Sequence, residues 1–176
     1  MKILDIGCGK RKFASKNSSD RVIGMDLVKL DGVDVVCNID KTPWPFRDNE
    51  FDIVIANHIL EHVSDIVKTM DEVWRVSKPG ALIKIKVPYH SSIGAFTDPT
   101  HKRSFSYRSM DYFSNEEFDY SFYTKKRFSM KKRELIFHKT LKIFQPIFNK
   151  FPRFYERFFH LIFPAEEIDF ELICKK

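Results

Sequence analysis

Apolar residues fall in short runs along the first half of the chain, each closed by a turn former. "KILDI" (Lys2–Ile6) stops at Gly7 and reads as a buried strand. "RVIGMDL" (Arg21–Leu27) is a second, closed by Asp26. Val33–Ile39 is a third, and "FDIVIAN" (Phe51–Asn57), with β-branched Ile53, Val54 and Ile55, is a fourth. Ala81–Tyr89 alternates apolar and polar residues until Pro88, as a fifth strand would. Between the last two, Ile66, Val67, Met70, Val73 and Trp74 recur at three- and four-residue steps. That period predicts a helix over Ser64–Ser77 with Ser64 as its N-cap. Strands alternating with a helix imply a parallel, doubly wound sheet.

The second half reads differently. "HSSIGAFTDPTHKRSFS" after Tyr89 is a long polar loop, a length that usually carries function. Ser109–Phe118 predicts a short helix, Lys126–Phe137 a long strand and "EIDFELICKK" a last strand. Residues 139–164 mix thirteen aromatic or aliphatic side chains with Lys142, Lys150, Arg153 and Arg157, interrupted by Pro146 and Pro152. They read as a helical pair over the sheet, as a lid, as a dimer contact or as a basic aromatic face for an anionic membrane surface.

The first connection is short. Only "KRKFASKNSSDR" separates Gly9 from Val22, which leaves room for a loop and about one helical turn rather than a full crossover helix.

Charge sharpens the division. The net charge is +6, yet residues 1–120 hold 17 Lys+Arg against 18 Asp+Glu, and residues 121–176 hold 13 against 6. The basic excess in the last third suits an anionic partner. Its 176 residues suggest one domain, 1–176, with a cofactor half (1–90) and a substrate half (91–176). No apolar stretch approaches the roughly 18 residues of a membrane span. Three scattered cysteines without a C-x-x-C pair, and no signal peptide, lead to the expectation of a cytoplasmic, reduced protein.

The candidate chemistry begins at Gly7-Cys8-Gly9. A strand followed by Gly-x-Gly lets backbone approach a ligand where a Cβ would block it. Asp26 stands 21 residues after Asp5, at the end of the second strand, where an acid can accept hydrogen bonds from ribose hydroxyls. Neither the dinucleotide fingerprint nor the phosphate loop is complete, because Lys10, Arg11 and Lys12 follow Gly9.

"ILDIGCG", "GMDL", "NIDKTPWPFRDNEFDIVIANHILEHV" and "EVWRVSKPGALIKIKVPY" together resemble the successive motifs of class I S-adenosylmethionine-dependent methyltransferases of the type 11 kind, over about residues 1–90. The resemblance implies an α/β, doubly wound, mostly parallel seven-stranded Rossmann-like sheet with an antiparallel last strand, and S-adenosylmethionine as cofactor. It implies that Asp5, Gly7, Cys8 and Gly9 form the loop under the cofactor, that Asp26 and Leu27 meet its ribose and adenine, that Asn38, Ile39 and Asp40 approach the adenine, and that Asn57 and His58 face it from the substrate side. The chain starts at the first strand, so the family's N-terminal cover helix is expected to be absent.

Candidate bases for the acceptor's proton are His58, His62 and His101. His90, His101 and Arg103, in the loop after the fifth strand, are the expected substrate contacts. His90, Asp98 and His101 are all metal-ligand types, but their spacing matches no standard site, so no metal is expected. The fourth strand ends "ANHI" and no Pro-Cys pair exists, which speaks against DNA methylation. The expected acceptor is a small or lipid-like molecule. A catalytically silent binding protein and a methyltransferase acting on RNA or protein are the rival readings.

Overall fold

The computed structural model describes residues 1–114, 124 and 127–176. Seven strands form one sheet: β1 (Lys2–Ile6), β2 (Arg21–Asp26), β3 (Val35–Val36), β4 (Phe51–Asn57), β5 (Ser77–Pro88), β6 (Arg127–Ile136) and β7 (Glu167–Lys175). Their order is β3-β2-β1-β4-β5-β7-β6. β1 to β5 pair in parallel, and β7 runs antiparallel between β5 and β6. The order reverses between β1 and β4. Open α/β sheets bind ligands outside the carboxyl ends of the strands at such a switch point.

Helix α1 (Ile66–Val76) is capped by Asp65, whose carboxylate accepts from the N–H groups of Val67 and Lys68. Ser64, the expected cap, instead donates its N–H and hydroxyl to Asp40, 2.7 Å each. Met70, Val73 and Val76 bury one face of α1 against the sheet's core, with Leu4, Ile6, Val54, Ala56, Ile83 and Ile85.

Two strands differ from their predicted lengths. β3 is only two residues long, and Asp34 just before it bonds Gly24 of β2 twice, donating its N–H to the carbonyl at 2.9 Å and accepting the Gly24 N–H on its carboxylate at 2.7 Å. β5 starts at Ser77, where α1 ends. The expected helix at Ser109–Phe118 is seen as α3 (Asp111–Ser114), with Ser109 and Met110 in the turn before it and 115–118 outside the described residues.

No helix of the described residues links β1 to β2. The connecting loop lies directly on β2 at Gly24, where an added Cβ would meet the Cys8 thiol and the Lys12 Cδ, both at 2.7 Å. The same face of β5 and β7 sets opposite charges across from each other, with Lys84 facing Glu171 and Lys86 facing Asp169.

After α2 (Gly94–Thr97), the remaining helices lie in the insertion between β6 and β7: a 3-10 turn (Lys142–Phe144), α4 (Gln145–Lys150) and α5 (Pro152–Phe158). Tyr155 is fully buried and joins the core. Its hydroxyl donates to the Phe163 carbonyl at 3.0 Å and accepts the Ala165 N–H at 2.8 Å, which anchors the insertion to β7.

Candidate functional site

At the carboxyl end of β1 the chain turns through Gly7 (φ +65°) and Gly9 (φ +53°), both in the left-handed region that glycine adopts most readily. The N–H groups of Gly7 and Cys8 donate to the Met25 carbonyl at 2.7 and 3.2 Å, which ties the loop to β2. An added Cβ on Gly7 would sit 2.6 Å from Cγ1 of Ile59. One on Gly9 would point into open space, with no heavy atom within 4 Å. Gly9 donates its N–H to Oδ2 of Asp26 at 2.8 Å. Beside this turn lies a cavity of about 250 Å³ lined by Gly7, Asp26, Leu27, Asn38, Ile39 and Asp40, among others.

Asp5 and Cys8 stand behind that cavity rather than on its wall. Asp5 is only 3% exposed and accepts the Phe13 N–H at 2.7 Å, so it pins the loop. Burial raises its carboxyl above the usual range. The Cys8 thiol packs on Gly24, and burial pushes its pKa up to about 11, far from a reactive thiolate. Lys102 lines the cavity too, its ammonium 2.8 Å from Ser64 Oγ. Sequence reasoning missed it, although it lies between His101 and Arg103.

A second cavity, of about 600 Å³, adjoins the first, and His62 lines both. His58, Glu61 and His62 reach it from the end of β4, Ser92 to His101 from the loop after β5, and Glu167 from β7. His138, Leu141 and Pro164, at the two ends of the helical insertion, complete the wall. The three candidate bases His58, His62 and His101 therefore meet in one place.

Three expected contacts do not. Asn57 is exposed on the charged side of the sheet, beside Lys84 and Lys86. His90 packs against Tyr89 and His160, with ring centroids 4.4 and 5.0 Å away, and burial lowers its pKa. Arg103 donates to the carbonyls of Leu60 and Ser64 at 3.0 and 3.2 Å, which binds its guanidinium to backbone instead of a ligand. A carbonyl clamp and a substrate clamp use the same residue type, so sequence does not separate them.

His58 is held on both sides. Nε2 lies 3.0 Å from Glu167 and Nδ1 3.4 Å from Glu61. These carboxylates, Glu167 foremost, lift its pKa to about 9, so at neutral pH it is a cation with no lone pair to offer as a base. Glu167 in turn is lowered to about 2, chiefly by His58 and then by Lys86. The other two rings each have Nδ1 committed to a partner. His101 Nδ1 is 3.0 Å from the Ala95 carbonyl, an acceptor only, so Nδ1 carries the proton. His62 Nδ1 is 2.9 Å from Thr100 Oγ1, whose own proton goes to Asp98 at 2.7 Å; His62 must donate there as well. Nε2 is thus the free nitrogen of both rings.

A family model described as a methyltransferase domain, Methyltransf_11, matches residues 4–85, the segment that builds β1 to β5 and the glycine loop. Over that segment, just under half of the chain, it resembles the class I S-adenosylmethionine-dependent methyltransferases. The methyltransferase domain is 33% identical over 123 residues to cycloartenol-C-24-methyltransferase 1 of Oryza sativa, covering 58% of this chain and 35% of that protein. It is 35% identical over 94 residues to a tRNA (carboxymethyluridine(34)-5-O)-methyltransferase of Arabidopsis thaliana, covering 48% and 23%. The chain thus spans about a third or less of these two curated relatives. A solved SAM-dependent methyltransferase from Archaeoglobus fulgidus superposes with a TM-score of 0.64 at 18% identity, covering 98% of this chain and 85% of that one, a likeness in fold.

The residues present fit the family's cofactor. Gly9 leaves the space that a side chain would fill. Among the described residues Asp26 accepts only the N–H groups of Gly9 and Val28, which leaves acceptor capacity for a diol. Ile39 and Leu27 give the cavity apolar walls.

Proposed function

We propose that residues 1–176 act as one domain that binds S-adenosylmethionine in the cavity at Gly7, Gly9 and Asp26, and methylates an acceptor held in the adjoining one. The observation that carries this reading is His62, which lines both cavities and so marks where donor and acceptor meet. The cofactor supplies an activated methyl group on a sulfonium, and the protein's task is alignment and exclusion of water. Gly7, Gly9, Leu27, Asn38, Ile39 and Asp40 would shape the cofactor's seat, with Asp26 as its diol acceptor. Asp5 and Cys8 would support the loop from behind. On the acceptor side, His58 is already protonated. His62 and His101, with free Nε2 atoms, are the groups left to face an acceptor's proton.

The acceptor is proposed to be a small or lipid-like molecule met at an anionic surface. Phe144, Ile147, Phe151, Phe154, Phe158 and Leu161 follow one another at three- and four-residue steps and are 39–78% exposed. Lys142, Lys150, Arg153 and Arg157 are interleaved with them, a composition suited to resting on a bilayer. The insertion's two ends, at His138, Leu141 and Pro164, line the acceptor cavity. No helix among the described residues is long and apolar enough to cross a membrane.

Calorimetry tests the reading. Heat of binding with S-adenosylmethionine and with its demethylated product is expected; no heat with either would favour a silent binding protein. Salt-sensitive binding to RNA without binding to vesicles would favour the nucleic-acid reading.

A further inference from the structure

Glu61 is 1% exposed and lines the acceptor cavity, yet neither of its carboxylate oxygens receives a hydrogen bond from the described residues. A buried carboxylate without hydrogen bonds is costly, and a native site normally supplies a water or an ion for it. Its Oε1 lies 3.4 Å from His58 Nδ1 and 4.0 Å from His101 Nε2. Glu61, His62 and His101 can each present one ligating atom so that all three lie within 4.8 Å of one another. The rings of His62 and His101 meet edge to face with centroids 4.7 Å apart.

The hydrogen bonds behind these rings give the arrangement its meaning. Metal-ligating histidines almost always donate their other ring N–H to a carbonyl, a carboxylate or water, which fixes the tautomer and the ring's orientation. Here His101 donates to the Ala95 carbonyl and His62 to Thr100, itself anchored on Asp98. Both rings are therefore held from behind through Nδ1, which leaves Nε2 as the atom each can offer a ligand. His58, pinned by Glu167, flanks the Glu61 carboxylate as its outer partner. Packing alone does not require two histidines and a buried acid to bring one ligating atom each to the same point.

We propose that Glu61, His62 and His101 bind one divalent transition-metal ion of the zinc type, with its open coordination position facing the acceptor cavity. Two imidazoles and one carboxylate form a donor set that zinc takes in catalytic sites, and nitrogen ligands disfavour magnesium and calcium. Bonds of about 2.1 Å at a tetrahedral angle place ligand atoms about 3.4 Å apart, so the three side chains need only close in slightly. With the ion bound, His62 and His101 would be ligands rather than bases, and an acceptor hydroxyl or a water in the open position would release its proton to solvent more readily. The sequence led to no expectation of a metal because the loop trio His90, Asp98 and His101 has no standard spacing. In the structure His90 is turned away to His160, and Glu61 and His62 come from a different strand end to meet His101.

The test uses the whole chain without S-adenosylmethionine, so it does not depend on the methyl-transfer reading. Chain freed of metal by chelator is dialysed against Zn²⁺ and, separately, titrated with Co²⁺ while its visible ligand-field absorption is recorded. One ion per chain is expected, displaced from Co²⁺ to Zn²⁺ and unaffected by excess Mg²⁺. Glu61→Gln and His101→Ala are expected to abolish the Co²⁺ spectrum. Thr100→Val, at an exposed position that ligates nothing, is expected to keep the circular dichroism spectrum and weaken metal binding about 10–100-fold. No uptake by the wild-type chain, or uptake unchanged in Glu61→Gln and His101→Ala, overturns the proposal. Heat with S-adenosylmethionine alongside a failed metal titration would leave the methyltransferase reading intact.

Discussion

Oδ2 of Asp26 accepts the N–H of Gly9 at 2.8 Å, joining the end of β2 to the loop after β1 across the mouth of the smaller cavity. One carboxylate thereby has two tasks, holding the loop and offering oxygens to a ligand. Asp26→Ala removes both and is expected to weaken S-adenosylmethionine by about tenfold or more, because hydrogen bonds to a charged group contribute roughly 1.5–3 kcal/mol. Asp26→Asn retains an oxygen for Gly9, so its melting temperature should stay near wild type while cofactor affinity still falls. Unchanged affinity in both variants, measured by calorimetry, would remove Asp26 from the cofactor site.

Gly7 and Ile59 are in contact so close that no side chain fits between them. Gly7→Ala combines a left-handed backbone with a Cβ 2.6 Å from Ile59 Cγ1, and overpacking of this kind costs about 1–3 kcal/mol. Adding Ile59→Ala should recover part of the loss in denaturant unfolding, since it relieves the clash but not the strain. A double variant no more stable than Gly7→Ala would show that Ile59 is not the obstacle.

Arg103 is expected to act on stability rather than on ligands. Arg103→Met leaves the carbonyls of Leu60 and Ser64 without their donor, at a cost of about 1–3 kcal/mol. The melting temperature should drop while the dissociation constant for S-adenosylmethionine stays within about twofold. The opposite pattern would restore Arg103 as a ligand contact.

Glu167 sets a pH dependence at the acid end. Its folded pKa is lowered to about 2 from the ordinary value of 4.5, so its contribution is fully present above the unfolded value and is lost as pH falls from about 4.5 toward 2. Unfolding free energy measured in chelator should therefore decline less steeply over that range in Glu167→Gln than in the wild type. Parallel curves would mean that the Glu167–His58 and Glu167–Lys86 pairs add nothing.

The exposed aromatic face makes a prediction about surfaces. Phe151, Phe154 and Phe158 are more than half exposed, and their replacement by Ser touches no residue of either cavity. The triple variant should lose flotation with anionic vesicles while its affinity for S-adenosylmethionine is unchanged. Equal recovery of wild type and variant with the vesicles would detach this face from membrane binding.

Much of the sheet was legible in the sequence because its causes are local. The apolar runs at Lys2–Ile6 and Phe51–Asn57 are buried on both faces and became strands at the predicted bounds. The three- and four-residue period of Ile66–Trp74 became α1. β3 was shorter than its apolar pattern suggested, and the Asp34 carboxylate before it accepts the Gly24 N–H of the neighbouring strand. That is a tertiary bond, invisible to periodicity.

The sequence by itself determined the strand–glycine–strand framework, the family and the place of an acid at the end of β2, since backbone conformation and hydrophobic period act over a few residues. Only the tertiary structure decided what each titratable side chain does. Arg103 became a carbonyl clamp, His90 a packing residue, His58 a cation between two acids, and Glu61 a buried acid without hydrogen bonds among the described residues. The physical reason is range. A side chain's protonation and partners depend on desolvation and on charges within a few ångströms, and here those neighbours come from the end of β4, the loop after β5 and the start of β7, more than 100 residues apart in the chain.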